Sequence, residues 1–295
     1  MSKKQLAYIT SAFFRSPQTE ETAALFSASA RARGLEPLRL TNAEIAARLD
    51  GRVSTRRLTA ALFFDKDLVA ARALEATGCR LFNRAEAIAL ADDKALTALS
   101  LARAGVPAVP TYCVPMTYAN IGYTETGFVD ELVAFCGGFP LVVKHRRGSL
   151  GAGVFLVENA RALLELLRGT TTDLVAQPFR RQFPDGHGCD LRLNVVGGRL
   201  NNAIRRENKA DFRSNLAAAG TAGAVVPPAE AVECALAGAR ALGLDFAGCD
   251  LLRGPRGWEI CEINSNALTV GAYRATGVNA FDAIIDYVKE QMSWT

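Results

Sequence analysis

Up to about residue 91, short apolar runs of the kind that fill a strand alternate with longer stretches of helical periodicity. LAYIT from Leu6, then PLRL and ALFF, read as strands, while residues 20–33 and 68–76 read as helices. Strands alternating with helices predict a small α/β domain built on a parallel sheet. Beyond it, Asp92 and Asp93 stand where side chains can cap a helix over 94–104, whose Leu96, Leu99 and Ala102–Arg103 turn form the expected buried stripe; Gly105 and Pro107 end it. VPAVPTY, FPLVVK, GVFLV and LVAQ follow as strands, with helices near 128–135 and over 160–167. A strand-rich stretch to Gly198, a helix over 230–242, the strands CDLL and WEICEIN, and an amphipathic helix over 280–291 complete the pattern. The expected organisation is three units: 1–91, 92–175 and 176–295.

A chain of 295 residues can bury more than one core, and 49% hydrophobic with 22% charged residues describes an ordinary globular protein. The net charge of +4 is mild and its cations are scattered, so no nucleic-acid partner is expected. Seven cysteines without a C-x-x-C pair point away from zinc and towards a reducing, cytoplasmic setting. No run approaches the roughly 20 apolar residues that cross a bilayer, so no membrane association is expected.

Three segments carry candidate chemistry. In LVVKHRRGSLGAGV a β-branched strand delivers Lys144 to a loop with Gly148, Ser149, Gly151 and Gly153, where backbone N–H groups can approach phosphate oxygens and the ammonium can neutralise them. The loop is neither a Walker nor a dinucleotide fingerprint, and a plain hairpin turn has the same outline. In GWEICEIN, Glu262 and Asn264 lie two apart on a strand and so leave one face, where Asp250 of CDLL can join them as a hard-oxygen set suited to Mg²⁺. In CDLRLNVVGG, Asp190 and Arg192 share a face opposite Leu191, Leu193 and Val195; Arg192 can hold an anion, and the same spacing suits an internal salt bridge. DFRSNL brings Arg213, Ser214 and Asn215 before a small-residue stretch that reads as a loop.

In this order the segments resemble the RimK-like ATP-grasp ligases over roughly residues 80–290, carried by DDKALTALSLARAGVPAVPTY, FPLVVKHRRGSLGAGV, LVAQPF, GCDLRLNVVGG, DFRSNL, FAGCDLL and EICEINSNA. The resemblance implies an ATP-grasp fold: two α+β subdomains enclosing ATP behind an N-terminal α/β domain. It also implies an ATP-dependent carboxylate–amine ligase that works through an acyl phosphate and releases ADP and phosphate. By that resemblance Lys94 and Lys144 contact the ATP phosphates, Gln177, Pro178 and Phe179 form the hinge against adenine, and Asp190 lies at the ribose. Arg213 serves catalysis, Ser214 and Asn215 reach the phosphates, and Asp250, Glu262 and Asn264 bind Mg²⁺, or Mn²⁺ in its place. A homo-oligomer is a common family state. The partners implied are a carboxylate and an amine, the latter from an amino acid, a peptide or a protein.

Pro178 departs from the family's usual hinge glutamate, RRQFPDGH looks longer than the usual linker, and EINSNALTV replaces the more frequent ending. Arg192, Arg205, Arg206 and Asn266 are the candidate substrate residues, and with His145–Arg146–Arg147 they predict a guanidinium left over for a second anionic group on the substrate. A small-molecule kinase of the same fold and a non-catalytic nucleotide-binding module are the alternatives. Only a ligase passing through an acyl phosphate yields a hydroxamate with hydroxylamine, and a complete metal set argues against a module that merely binds.

Overall fold

A computed structural model describes residues 4–148, 151–214, 220–267 and 270–294. The N-terminal unit runs β1 (Gln5–Thr10), α1 (Pro17–Ala32), β2 (Glu36–Thr41), β3 (Arg48–Leu49), β4 (Val53–Ser54), β5 (Ala60–Phe64), α2 (Leu68–Ala76), β6 (Arg80–Phe82) and α3 (Ala85–Asp92). Strands β2, β1, β5 and β6 form a parallel sheet in that order, while β3 and β4 pair as a small separate hairpin. The helix expected over 20–33 starts earlier, because the Ser16 hydroxyl accepts from Thr19 N and Pro17 opens the first turn. Alternation along β5 sends Ala61 and Phe63 to one core with Leu74 and Ile88, and Leu62 and Phe64 to another with Phe26 and Phe281.

The central unit comprises α4 (Lys94–Arg103), β7 (Tyr112–Cys113), α5 (Val129–Phe135), β8 (Leu141–His145), β9 (Val154–Val157), α6 (Ala160–Arg168) and β10 (Leu174–Pro178). Its antiparallel sheet has the order β7, β10, β8, β9, packed against α5 and α6 through Leu132, Leu163 and Leu167. Asp93 alone caps α4, its Oδ1 accepting from Ala95 N at 2.9 Å and Leu96 N at 3.3 Å. Asp92 ends α3 and pairs with Lys66 instead. The expected α4 stripe is corrected: Ala95, Thr97 and Leu101 are buried while Leu99 is exposed, because the helix turns its small side towards the neighbouring elements.

The last unit holds β11 (Gly188–Val196), β12 (Arg199–Asn208), β13 (Thr221–Ala224), α7 (Ala229–Ala241), β14 (Phe246–Gly254), β15 (Gly257–Asn264), α8 (Val270–Thr276) and α9 (Ala280–Gln291). Its five-stranded antiparallel sheet has the order β13, β12, β11, β14, β15. Leu191, Leu193, Val195, Cys249 and Leu251 face α7 and form a further core, separate from the two of the N-terminal unit and that of the central unit. The opposite face carries Asp190, Arg192, Asn194 and Asp250, and ends in Val196 and Phe246, which join the core beneath α9. Helix α9 returns to the N-terminal sheet, where Phe281, Ile284, Ile285 and Val288 seal the core of Tyr8, Phe26 and Phe64. Among the described residues no helix is long and apolar enough to cross a membrane.

Candidate active site

Strand register assembles the polar face. Directly opposite residues in an antiparallel sheet share a side, and the register sets Asp190 against Arg206, Arg192 against Asp250, and Asp250 against Glu262. Asn264 lies two residues beyond Glu262 on the same side, opposite Gly248. Between Asp250 and Leu251 the β14 to β15 ladder shifts, leaving Cys261 as the extra residue of a bulge. Its thiol lies 3.3 Å from Lys144 Nζ.

The arginines of this face are engaged. Arg192 grips Asp250 through Nε and Nη2, both at 2.6 Å, and Arg206 reaches Asp250 Oδ2 at 3.0 Å. Arg206 also forks onto Asp190, with Nε at 2.7 Å, and Ser214 Oγ donates to Asp190 Oδ2 at 2.5 Å. Burial opposes ionisation of Asp250, but Arg192 and Arg206 outweigh it and hold the carboxyl below its usual range. Burial likewise opposes the charge on Arg206, and its two carboxylates raise its pKa above that of a free guanidinium.

These contacts correct the expectation of a guanidinium left over for substrate. Arg192 and Arg206 are partners of Asp250 and Asp190; Arg205 is exposed on the opposite side of β12, bonded to Glu207 at 2.9 Å and stacked over Phe183. Arg146 is paired with Asp93, and Arg147 is largely exposed. Arg192 thus forms an internal salt bridge rather than an open anion site.

Facing the acidic group are the two lysines. Lys144 is buried at the end of β8, and Lys94 opens α4 with its Nζ 3.9 Å from Glu262 Oε1 and 3.4 Å from Gly148 O. Burial lowers the Lys94 pKa, and Glu262 offsets part of that. Lys94, Thr97, Thr111, Gln177, Cys261 and Glu262 line one cleft between α4, β10 and β15. Gln177 is buried, with Nε2 donating to Thr111 Oγ1 at 2.9 Å. Pro178 closes β10 as the partner of Leu141, and Phe179 follows edge-on to Phe212.

The glycine loop links β8 to β9, with positive φ at Gly148 (154°), Gly151 (78°) and Gly153 (70°). A Cβ on Gly153 would lie 2.4 Å from the His145 ring. Arg213 bonds Asp211 through Nη2 at 2.6 Å and donates from Nη1 to Gly151 O at 3.1 Å, bridging the loop to the segment that carries Ser214. Ser149 and Asn215 lie outside the described residues. Asn266 sits in the turn after β15, preceded by Ser265, whose carbonyl accepts from Asn83. Sequence reasoning missed Cys261, Thr111 and the Asp93–Arg146 pair. The bulge and the contacts between units leave no local signal, although the run His145–Arg146–Arg147 did mark the position of the last.

An all-oxygen set of two carboxylates and an amide suits a hard cation. Glu262 is half-buried with an ammonium at 3.9 Å, and among the described residues Asp250 Oδ1 accepts one hydrogen bond, from Arg192, which leaves a lone pair. Asp250, Glu262 and Asn264 therefore fit Mg²⁺.

A profile of the RimK-like ATP-grasp domain matches residues 91–288. The chain belongs to the RimK-like ATP-grasp family. This family member is 35% identical over 224 residues to a probable alpha-L-glutamate ligase of Serratia proteamaculans, a match covering 75% of this chain and 71% of the relative. Its fold is that of D-cycloserine synthetase DcsG, with a TM-score of 0.73, 19% identity and coverage of 98% of this chain and 99% of that one. It is also that of the ATP-grasp ligase PsnB complexed with minimal precursor, Mg and ADP, with a TM-score of 0.67, 17% identity and coverage of 96% and 98%. As a RimK-like protein the chain is an ATP-dependent carboxylate–amine ligase, and ATP with Mg²⁺ is the family's nucleotide and metal.

Proposed function

We propose that the ligase activates its carboxylate substrate as an acyl phosphate in the cleft between β8, β10 and the polar face of β14 and β15. The observation that carries this reading is the placement of Lys94 3.9 Å from Glu262 and of Lys144 3.3 Å from the neighbouring Cys261, beside a glycine loop that opens at Gly148. Mg²⁺, bound by Asp250, Glu262 and Asn264, would neutralise phosphate charge. Lys144 and Lys94 meet the phosphates as fixed cations in a cleft largely shielded from water, where their charge acts more strongly than in bulk solvent. The carboxylate oxygen attacks the γ-phosphorus, the bond to the β-phosphate oxygen breaks, and ADP leaves. The amine then attacks the acyl carbon, phosphate departs, and the amine loses a proton. Gln177, Pro178 and Phe179 form the adenine wall in this reading, and Asp190, bonded to Arg206 and Ser214, orders the segment beside the ribose. The division expected at 1–91, 92–175 and 176–295 belongs to the same proposal with its second boundary moved past Pro178, because β10 pairs with β8 along its whole length, and the nucleotide lies between the second and third units.

The name borne by the relatives makes L-glutamate the first partner to test as amine or carboxylate. The experiment is a hydroxylamine trap with product analysis on a panel of amino acids and short peptides. The expected result is ADP and phosphate in equal amounts, with hydroxamate formed from one carboxylate of the panel. AMP with pyrophosphate would overturn the acyl-phosphate route.

A further inference from the structure

The basic run after Lys144 has a use that the nucleotide reading leaves unexplained. We propose that Arg146 is a positioning residue: paired with Asp93, it holds Lys94 in place against the glycine loop and so sets ATP affinity without touching the nucleotide. The proposal rests on the reading that Lys94 meets the phosphates.

Asp93 is 1% exposed and serves two elements with one carboxylate. It caps α4 through Ala95 N and Leu96 N, and it receives Arg146 Nε at 3.1 Å and Nη2 at 2.6 Å. The backbone of Arg146 closes the arrangement, since Lys94 N donates to Arg146 O at 2.9 Å. Arg146 is in turn anchored towards β10: its own N donates to Asp173 O at 2.9 Å, and Nη1 lies 3.5 Å from Asp173 Oδ2. The residue that opens the β8 to β9 loop therefore holds the first turn of α4 by both main chain and side chain. Lys94 projects from that turn to Gly148 O and Glu262. Removing the guanidinium takes both hydrogen bonds of the fork from a buried carboxylate and leaves it the exposed Arg147 at 3.8 Å as its cation, so relief requires Asp93, with the α4 N-terminus, to shift towards Arg147 and water. Arginine suits the task because its planar fork meets both carboxylate oxygens at once.

The test measures affinity for Mg²⁺ with a non-hydrolysable ATP analogue by calorimetry, which needs no knowledge of the other substrates. Arg146→Met should weaken binding about tenfold or more, and Arg146→Lys, which keeps the charge but loses the fork, should recover part of that loss. Arg161→Met, an exposed arginine on α6, should bind like the parent. In a Lys94→Met background Arg146→Met should change affinity less than about twofold, because the residue through which it acts is gone. Unchanged affinity in Arg146→Met, or the same further loss with and without Lys94, overturns the proposal. If Arg146→Met does not fold, Arg146→Lys carries the test, with a threefold or greater loss expected and parent affinity overturning it. A parent protein that fails to bind the analogue at all would instead overturn the nucleotide reading.

Discussion

Asp250 is held between two guanidinium groups, and that arrangement gives the site a direction of pH dependence. Its folded pKa lies below the ordinary value, so the stabilisation it contributes is present above the unfolded carboxyl pKa and is lost as pH falls through the folded one. Removing Arg206 takes one of the two cations from Asp250, which raises that carboxyl. Arg206→Met should therefore move the acid limb of the kcat/KM profile to higher pH and lower the melting temperature, since stripping one partner from a buried pair costs about 3–5 kcal/mol. An acid limb left where it was, in a folded variant, would show that Arg206 does not tune Asp250. Lys144→Ala and Glu262→Ala should each lower turnover on the order of 10²-fold with little change in melting; near-parental rates for Glu262→Ala at saturating Mg²⁺ would remove it from the metal set. Glu262 and Asn264, or Asp190 and Arg192, were legible as pairs because a spacing of two fixes a shared strand face. That Arg206 joins Asp190 to Asp250 was not legible, because it depends on the registers of β12 and β14 against β11, which no local pattern encodes.

The glycine loop works as an element because its backbone adopts conformations that side chains resist. Gly153 combines a φ of 70° with a neighbour that leaves no space, His145, whose ring leans on the loop and packs 5.7 Å from Phe155. Gly153→Ala thus carries a left-handed cost of roughly 1–2 kcal/mol together with a clash. It should weaken binding of the ATP analogue, and His145→Ala in the same chain should restore part of it by removing the ring while the backbone cost stays. No recovery would place the whole effect in the backbone. If the loop closes on nucleotide, the analogue with Mg²⁺ should protect it from proteolysis, and equal cleavage with and without ligand would count against a lid. Elements with strong signals were read correctly: α2 and α9 match their expected spans, as does the Asp93 cap. The stripe of α4 was misread because its buried side is made of Ala95, Thr97 and Leu101, small or polar residues for the most part, while the apolar Leu99 faces outward. Strand β6 is three residues long and offers no periodicity to detect.

At the scale of the whole molecule, the N-terminal unit is bound to the C-terminal sheet rather than merely tethered to it. Arg33 pairs with Asp282 and Asp286 of α9, and α9 completes the N-terminal core. The deepest join is Asn83, fully buried: Nδ2 donates to Phe246 O at 2.9 Å and Ser265 O at 2.7 Å, while Oδ1 accepts from Asp245 N at 2.7 Å and Phe246 N at 3.2 Å. One amide from the end of β6 thus fixes both the entry to β14 and the turn between Asn264 and Asn266. The cleft lysines, by contrast, are held by α4 and β8, with no part of this join. The two halves of the reaction should therefore separate. Asn83→Ala strands four buried main-chain groups, each worth about 1–3 kcal/mol when unsatisfied, and frees the turn at Ser265. Melting temperature should fall and ADP release with substrate should drop by on the order of tenfold, while affinity for the ATP analogue stays within about threefold of the parent. Calorimetry on the folded variant, run beside a turnover assay, distinguishes the outcomes. A fall in affinity as steep as the fall in turnover would mean that the nucleotide site depends on the N-terminal unit, and the division between a nucleotide cleft and a substrate-side turn would have to be abandoned.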